Sequence, residues 1–405
     1  MMKIAFVVGN FPKNSETFVL NQITGLLNRG HEVDIFARYK PSEERIHEEV
    51  SEYGLKQRTT YSNIPDNILL RLLFSPVQAL RAPASRLRPM FESLKVHTYG
   101  RDALSLQAFY MTSSFNPSNY EITYAHFGPN GNIGSIFIRS GFNTNLVTMF
   151  HGNDIRMALN RNKQMYEPAF KESNLLLTNS EFNRKNLIQL GADPDKIDIQ
   201  PIAIDTDRFH CPSERDQTNT GKIKITTIGR LVEEKGHEFA INAVSRINSR
   251  TNKNIEYHIV GSGPLKADLQ RQTRRLNVEK SVVFCGQRSR SEVIRKLCHS
   301  DIFLLPSIDE GFGTVLLEAQ STKIPIVASR TGGIPEAVST DSSVLIEPQN
   351  SRVIADEIVE LIQNPSRRKA MGEAGRKFVI NNYTIDVAND LLQSRFKRIL
   401  HEDTS

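Results

Sequence analysis

Short apolar runs alternate with longer amphipathic segments along this chain, and the whole rhythm occurs twice. Runs of strand length fall at 3–8, 32–37, 122–125, 146–150, 175–178 and 197–202, then again at 223–228, 257–260, 282–285, 302–305, 324–327 and 344–346, with helix-length stretches between most of them. A parallel sheet needs such crossovers and buries both of its faces, so the pattern predicts an α/β fold of two Rossmann-like halves. The one clear linker is 211–221, where Pro212, Ser213, Thr218, Asn219 and Thr220 cluster. The expected division is a first domain over 1–208, a linker at 209–221 and a second domain over 222–384, with a C-terminal helix at 385–405 completing the first. A chain of 405 residues, 39% hydrophobic and 24% charged, has material for two ordinary cores.

Cys211, Cys285 and Cys298 are too few and too irregularly spaced for a disulfide framework or a zinc site, so reduced cysteines in a cytoplasmic protein are expected. The first apolar run is far too short for a signal core or a spanning helix and reads as a buried strand. The net charge of +6 is a mild excess, and its placement matters more than its size.

Chemistry is concentrated after the predicted strands of the second half. The stretch 309–319, Asp-Glu-Gly-Phe-Gly-Thr-Val-Leu-Leu-Glu-Ala, reads as a glycine loop leading into a helix. Gly311 and Gly313 would let the backbone approach a bound group, and the amides beginning at Thr314 would face a phosphate. Glu310 and Glu318 would be repelled by that phosphate and so are expected on sugar hydroxyls. Arg230 and Lys235, across the turn after the first strand of this half, suit a diphosphate as fork and point charge. A solvated charged turn, with Glu233 and Glu234 as partners, is the competing reading. Gly261 and Gly263 form another strand-to-helix turn without the third glycine of a dinucleotide fingerprint, which argues against a dehydrogenase.

Three stretches together carry a resemblance: Gly229-Arg230-Leu231 with Lys235-Gly236, Glu310-Gly311-Phe312-Gly313 with Glu318, and Ile324-Pro325-Ile326-Val327 with Gly332-Gly333. They resemble the retaining nucleotide-sugar glycosyltransferases of family 4, whose GT-B fold sets two Rossmann-like domains across a cleft. The resemblance implies that Arg230 and Lys235 hold the donor diphosphate, that Glu318 takes the ribose, that Glu310 lies beside the donor sugar, and that Gly261, Gly263, Phe312, Gly313 and Thr314 belong to the same donor site. In the first half, Phe11-Pro12 with Ser15-Glu16-Thr17, Ala125-His126-Phe127-Gly128 and Phe150-His151-Gly152-Asn153-Asp154 are similar to the colanic acid type of exopolysaccharide glycosyltransferases. On that likeness His151 lies near the transferred sugar, with Ser15, Glu16, Thr17, His126 and Asp154 on the acceptor side. Ser15 would also cap the helix beginning beside it. His126 reads equally as a hydrogen-bonded structural histidine. The family's frequent Gly-Gly pair after the first strand is here Gly9 alone.

Residues 67–101 break the rhythm, with Arg71, Arg81, Arg86, Arg88, Lys95 and Arg101 set among leucines against a single acid, Glu92. Pro76, Pro83 and Pro89 are expected to divide it into short helices. It reads either as helices covering the first sheet with snorkelling arginines, or as a surface for an anionic membrane. Nucleic acid is not expected, because no recognition motif accompanies the charge. The implied activity is metal-independent transfer of a hexosyl group from a nucleotide sugar to a lipid-linked saccharide, with no cofactor and no Asp-X-Asp cation motif in a suitable place. A non-catalytic nucleotide-sugar-binding partner and a nucleotide-sugar epimerase of the same fold are the alternatives.

Overall fold

The computed structural model describes residues 1–13, 16–41, 47–211 and 221–402. The chain forms two compact units, Met1–Ala203 with Ile385–Ser405, and Ile204–Thr384. Ser15 and most of the linker expected at 209–221 lie outside the described residues.

The first unit runs β1 (Lys3–Asn10), α1 (Thr17–Asn28), β2 (Glu32–Tyr39), α2 (Glu48–Glu52), β3 (Thr59–Tyr61), α3 (Ile68–Arg81), α4 (Ala84–Glu92), α5 (Val96–Leu104), α6 (Gln107–Ser114), β4 (Ile122–His126), α7 (Gly128–Arg139), β5 (Asn145–Phe150), α8 (Asn153–Arg161), α9 (Glu167–Glu172), β6 (Leu175–Thr178), α10 (Glu181–Gln189) and β7 (Ile197–Ile199). Its seven strands are ordered β3-β2-β1-β4-β5-β6-β7, all parallel. The short β3 was not foreseen: Thr59-Thr60-Tyr61 follows no long apolar run and is placed by its pairing with Ile35–Ala37.

The second unit runs β8 (Lys222–Ile228), α11 (His237–Asn248), β9 (Asn254–Val260), α12 (Lys266–Arg275), β10 (Val282–Gly286), α13 (Arg290–Cys298), β11 (Ile302–Leu305), α14 (Thr314–Ser321), β12 (Ile326–Ser329), β13 (Ser343–Ile346), α15 (Ser351–Gln363) and α16 (Pro365–Asn382). Its order is β10-β9-β8-β11-β12-β13, again parallel. The strand expected at 324–327 starts two residues later, because Pro325 has no amide to give a ladder.

The last helix, α17 (Ile385–Glu402), belongs to the first unit. Leu392, Phe396 and Ile399 enter the core beneath β1, and Gln393 meets His31 at 2.8 Å. Arg29 holds Asp390 at 2.8 Å and Asp386 at 3.1 Å. Gly25 on α1 is needed there, since a Cβ would lie 2.2 Å from Asn389 Nδ2.

The segment over α3, α4 and α5 corrects two expectations. Pro76 and Pro89 lie inside helices, and only Pro83 separates two. Pro76 leaves the Leu72 carbonyl without its helical donor, and the Ser75 hydroxyl donates to that carbonyl at 3.0 Å. Arg71 is buried rather than facing water, donating to the carbonyls of Pro65 (2.6 Å), Ser105 (2.9 Å) and Asp66 (3.1 Å). The cysteine expectation also fails. Cys211 and Cys298 form a disulfide within the second unit, 87 residues apart in sequence, and only Cys285 is free. That spacing carries no sign of pairing, because folding alone brings the end of α13 beside Cys211.

Candidate active site

In both units the strand order reverses beside the first strand, between β8 and β11 in the second and between β1 and β4 in the first. Loops leaving the carboxyl ends of such strands diverge there and open a crevice for ligands.

In the second unit the two diverging loops are the ones singled out by sequence. Lys235, at the end of the β8 loop, forms an ion pair with Glu310 in the β11 loop, and both side chains are mostly buried. The partner of Lys235 is therefore Glu310, not Glu233 or Glu234. Arg230 is exposed at the rim, and no acid among the described residues lies within ion-pair distance of it. Its carbonyl accepts from Nε2 of His237 at 2.9 Å, and burial lowers the His237 pKa to about 4, so that imidazole is neutral.

The glycines of this rim do something the sequence reading missed. They admit neighbouring loops rather than leaving space. A Cβ on Gly261 would lie 1.9 Å from the Gly229 carbonyl oxygen, and one on Gly263 would lie 2.4 Å from that of Leu231. Likewise Gly236 is set against Pro306 O at 2.1 Å and Gly332 against Glu310 O at 1.8 Å. Amide bonds complete the stitching: Leu231 N to Ser262 O (2.9 Å), Ile308 N to Glu234 O (2.8 Å) and Gly333 N to Glu310 O (3.1 Å). Four strand-end loops are thereby locked into one rim carrying Lys235 and Glu310.

Gly313, at φ 86°, turns the chain into α14 with Thr314 as its first residue. Phe312 is buried with its ring 5.9 Å from that of Tyr383, so it offers the rim only its backbone. Glu318 is half-buried on α14, and burial raises its carboxyl pKa while the Arg290 guanidinium opposes the rise. Arg290, which also covers the Phe209 ring at 5.2 Å, was not foreseen. Its only sequence signal was a basic residue opening a helix, which is common.

The first unit's rim has the opposite character. His126 ends β4, is fully buried and faces His151, with Nδ1 3.0 Å from Nε2 and rings 12° from parallel. Phe6 stacks on His126 at 5.5 Å, while Phe18 and Phe127 lie 4.4 and 4.5 Å from His151. Burial holds His126 well below the usual histidine range and lowers His151 to about 3, so both rings are uncharged. His126 Nε2 has no partner among the described residues. The assignment that leaves no buried N–H unpaired puts the proton on His126 Nδ1, which donates to His151 Nε2. His151 then carries its own proton on Nδ1.

Asp154 is buried and accepts from the amides of Gly128 (3.0 Å), His151 (3.0 Å) and Ile155 (3.1 Å). Its carboxylate joins the loops after β4 and β5 and fixes His151 through its own backbone. Glu16, the residue before α1, pairs with Lys13 at 2.6 Å, and Thr17 opens the helix.

Two Rossmann-like units, each a parallel sheet whose order reverses beside its first strand, are the GT-B fold. Anabaena Alr3699/HepE, solved in complex with UDP, superposes with a TM-score of 0.73 at 17% identity, covering 98% of this chain and 100% of that one. The sucrose-phosphate synthase of Thermosynechococcus elongatus also gives 0.73, at 18% identity, over 99% and 100%. Residues 15–208 match the family described as glycosyltransferase family 4, and residues 213–378 match glycosyl transferases group 1. A putative colanic acid biosynthesis glycosyltransferase, WcaL, of Salmonella typhimurium is 30% identical over 89% of this chain and 90% of its own length. The amylovoran biosynthesis glycosyltransferase AmsK of Erwinia amylovora is 29% identical over 98% and 100%. The chain belongs to the family 4 glycosyltransferases.

Proposed function

We propose that this transferase moves a hexosyl group from a nucleotide diphosphate sugar to a hydroxyl of a lipid-linked oligosaccharide, with the anomeric configuration retained, in exopolysaccharide, capsule or O-antigen biosynthesis. The observation that carries the reading is the Lys235–Glu310 pair across the switch point, beside Arg230, which has no acid partner among the described residues. Negative charge develops on the leaving diphosphate, and fixed cations stabilise it without reorganising. Lys235 and Arg230 supply them, with the amides that open α14. Releasing Glu310 from Lys235 as the diphosphate binds turns that carboxylate toward the sugar, where it stabilises a cationic centre. Glu318 takes the ribose hydroxyls, and its raised pKa suits a carboxyl that hydrogen-bonds neutral groups. His151 offers an uncharged imidazole to the sugar or acceptor, as a hydrogen-bonding group rather than a proton store. No metal has a role in this scheme. The names of the relatives support the polymer assignment.

The acceptor's lipid places the enzyme at the inner face of the cell membrane. Most of the large apolar side chains left exposed among the described residues lie between Ile68 and Leu104, among them Leu69, Leu73 and Leu80 at 68%, 67% and 87% exposure. Arg81, Arg88, Lys95 and Arg101 are exposed with them, a combination suited to anionic lipid. No helix of the described residues is long and apolar enough to cross a membrane.

The test is transfer by Lys235→Ala and Glu310→Gln proteins, after a panel of nucleotide sugars has been screened for heat protection to find the donor. Loss of about 10²–10³-fold is expected in protein that is still folded at the assay temperature. Full transfer in either variant overturns the assignment, and a freed isomerised nucleotide sugar without acceptor would make the protein an epimerase.

A further inference from the structure

The second unit contains a cavity of about 370 Å³ that the donor seat does not use. Its position follows from strand alternation. Ile223 and Ile225 on β8, and Ile255, Tyr257 and Ile259 on β9, turn into the core with α11 and α15. Lys224 and His258, between them, must therefore face the other side of the sheet. There α13 crosses, and the space between helix and sheet is lined by Lys224, His258, Arg288, Arg295, Lys296 and His299, with one acid, Glu292.

That acid is already engaged. Glu292 accepts from the Ser289 amide at 2.9 Å and hydroxyl at 2.7 Å and from Arg288 at 3.0 Å, and these bonds lower its carboxyl pKa to about 2. Glu256, in register with Lys224, is held by Lys222 at 2.6 Å and lies 3.6 Å from His258 Nε2, and Asp301 accepts from the Lys224 amide at 2.8 Å. Lys224, Arg295 and Lys296 have no acid within ion-pair distance among the described residues. Lys296 Nζ donates to His258 Nδ1 at 3.4 Å, a neutral partner that leaves its charge in the cavity. Burial and then Lys296 lower the His258 pKa, against the opposing pull of Glu256.

Three cations without an ion-pair partner among the described residues surround one cavity, and a bound anion relieves their mutual repulsion. The wall that carries two of them is fixed at both ends, by the Ser289–Glu292 capping box and by the Cys298–Cys211 disulfide. The cavity is large enough for a small phosphorylated molecule. It is also separate from the Lys235–Glu310 pair: Lys224 lies five residues before Gly229, roughly 16 Å along the strand.

We propose that this cavity is a second anion site, taking a small polyanion of phosphate or diphosphate chemistry between β8, β9 and α13. Its upper end is Arg288, two residues beyond Gly286, whose carbonyl accepts from the Gly261 amide at 2.9 Å. The site therefore abuts the rim that the donor uses without sharing its side chains.

The experiment uses inorganic diphosphate and the full chain carrying Lys235→Ala, so that the donor seat is weakened. Binding is read at constant pH from the His258 ring C–H resonance, assigned with His258→Gln. Saturable movement of that resonance is expected, and adding Arg295→Gln and Lys296→Gln should weaken it about tenfold or more. Arg295 is exposed and Lys296 half-buried, so both exchanges should leave the melting curve intact. A His258 resonance unmoved by millimolar diphosphate overturns the proposal. So does movement that survives loss of both cations in a folded protein.

Discussion

The two units share one topology and equip its switch point in opposite ways. In the second, the rim carries charge: Lys235 pairs with Glu310, and Arg230 stands exposed. In the first, the corresponding place holds two neutral histidines packed among Phe6, Phe18 and Phe127. A charged rim survives only where each charge has a partner or water, whereas a buried imidazole pair survives only by staying neutral. On the proposed reading, the contrast puts anion chemistry in one unit and shape and hydrogen bonding in the other.

The largest effect that can break this contrast comes from the charged rim itself. Lys235→Ala should cost transfer about 10²–10³-fold, while His126→Gln, which keeps a neutral hydrogen-bonding group, should cost much less. Rates measured on both variants at saturating donor decide it, and equal losses would erase the distinction.

Next in size is Gly332→Ala. The new methyl would lie 1.8 Å from the Glu310 carbonyl oxygen at φ 54°, so the loop bearing Glu310 must move. A loss of about 2–4 kcal/mol is expected, accompanied by loss of activity. Gly9→Ala, where nothing lies within 4 Å and the backbone is ordinary, should change stability by less than about 0.5 kcal/mol. Urea melts of the two variants test whether the rim of the second unit is stitched more tightly than the first unit's switch strand.

Reduction of the Cys211–Cys298 disulfide comes third. Opening an 87-residue loop should destabilise the second unit by about 2–4 kcal/mol and leave the first unit's melting unchanged. Calorimetry with and without reductant reads the two separately. Such bonds are uncommon in reducing compartments, so the amount of bridged peptide in freshly isolated protein also tests the cytoplasmic placement.

What could be read without the structure follows the same division. The strands announced themselves because a parallel strand buried on both faces must be continuously apolar, as at Leu175–Thr178 and Ile302–Leu305. β3 did not, because Thr59–Tyr61 is an edge strand defined by its neighbour. At the proposed site, Lys235 and Glu310 were singled out beside glycines in the loops that follow two strands, and Glu318 at the far end of the 309–319 stretch, but the pairing of Lys235 with Glu310 was not foreseen, being a contact across 75 residues. Gly261 and Gly263 were read as a strand-to-helix turn and not as gaps that neighbouring loops fill, since sequence shows that a side chain is missing and not what occupies its place. Arg71 was counted with the surface cations because nothing in the sequence shows that the carbonyls of Pro65 and Asp66, just before its helix, and of Ser105, 34 residues on, converge on it.

The smallest effect is also the one most specific to the neutral rim. His126 and His151 have pKa values lowered by burial, that of His151 to about 3 against an ordinary 6.5. Below about pH 6.5 the unfolded chain binds protons that the folded one refuses, so stability falls as pH drops through that window toward 3. For the fully buried His126 the slope approaches about 1.4 kcal/mol per pH unit. His237 in the second unit, lowered to about 4, adds a slope of the same sign, so the wild-type curve alone cannot separate the units. Asp154 is shifted the other way, its pKa raised by burial, and its contribution is lost as pH rises, within the carboxylate range. The His126→Gln/His151→Gln protein should therefore lose stability less steeply than wild type between pH 6.5 and 5, while His237→Gln should flatten only the second unit's transition. Parallel curves for wild type and the double variant would mean that the histidines of the first unit titrate freely, and the neutral rim would no longer distinguish it from the second.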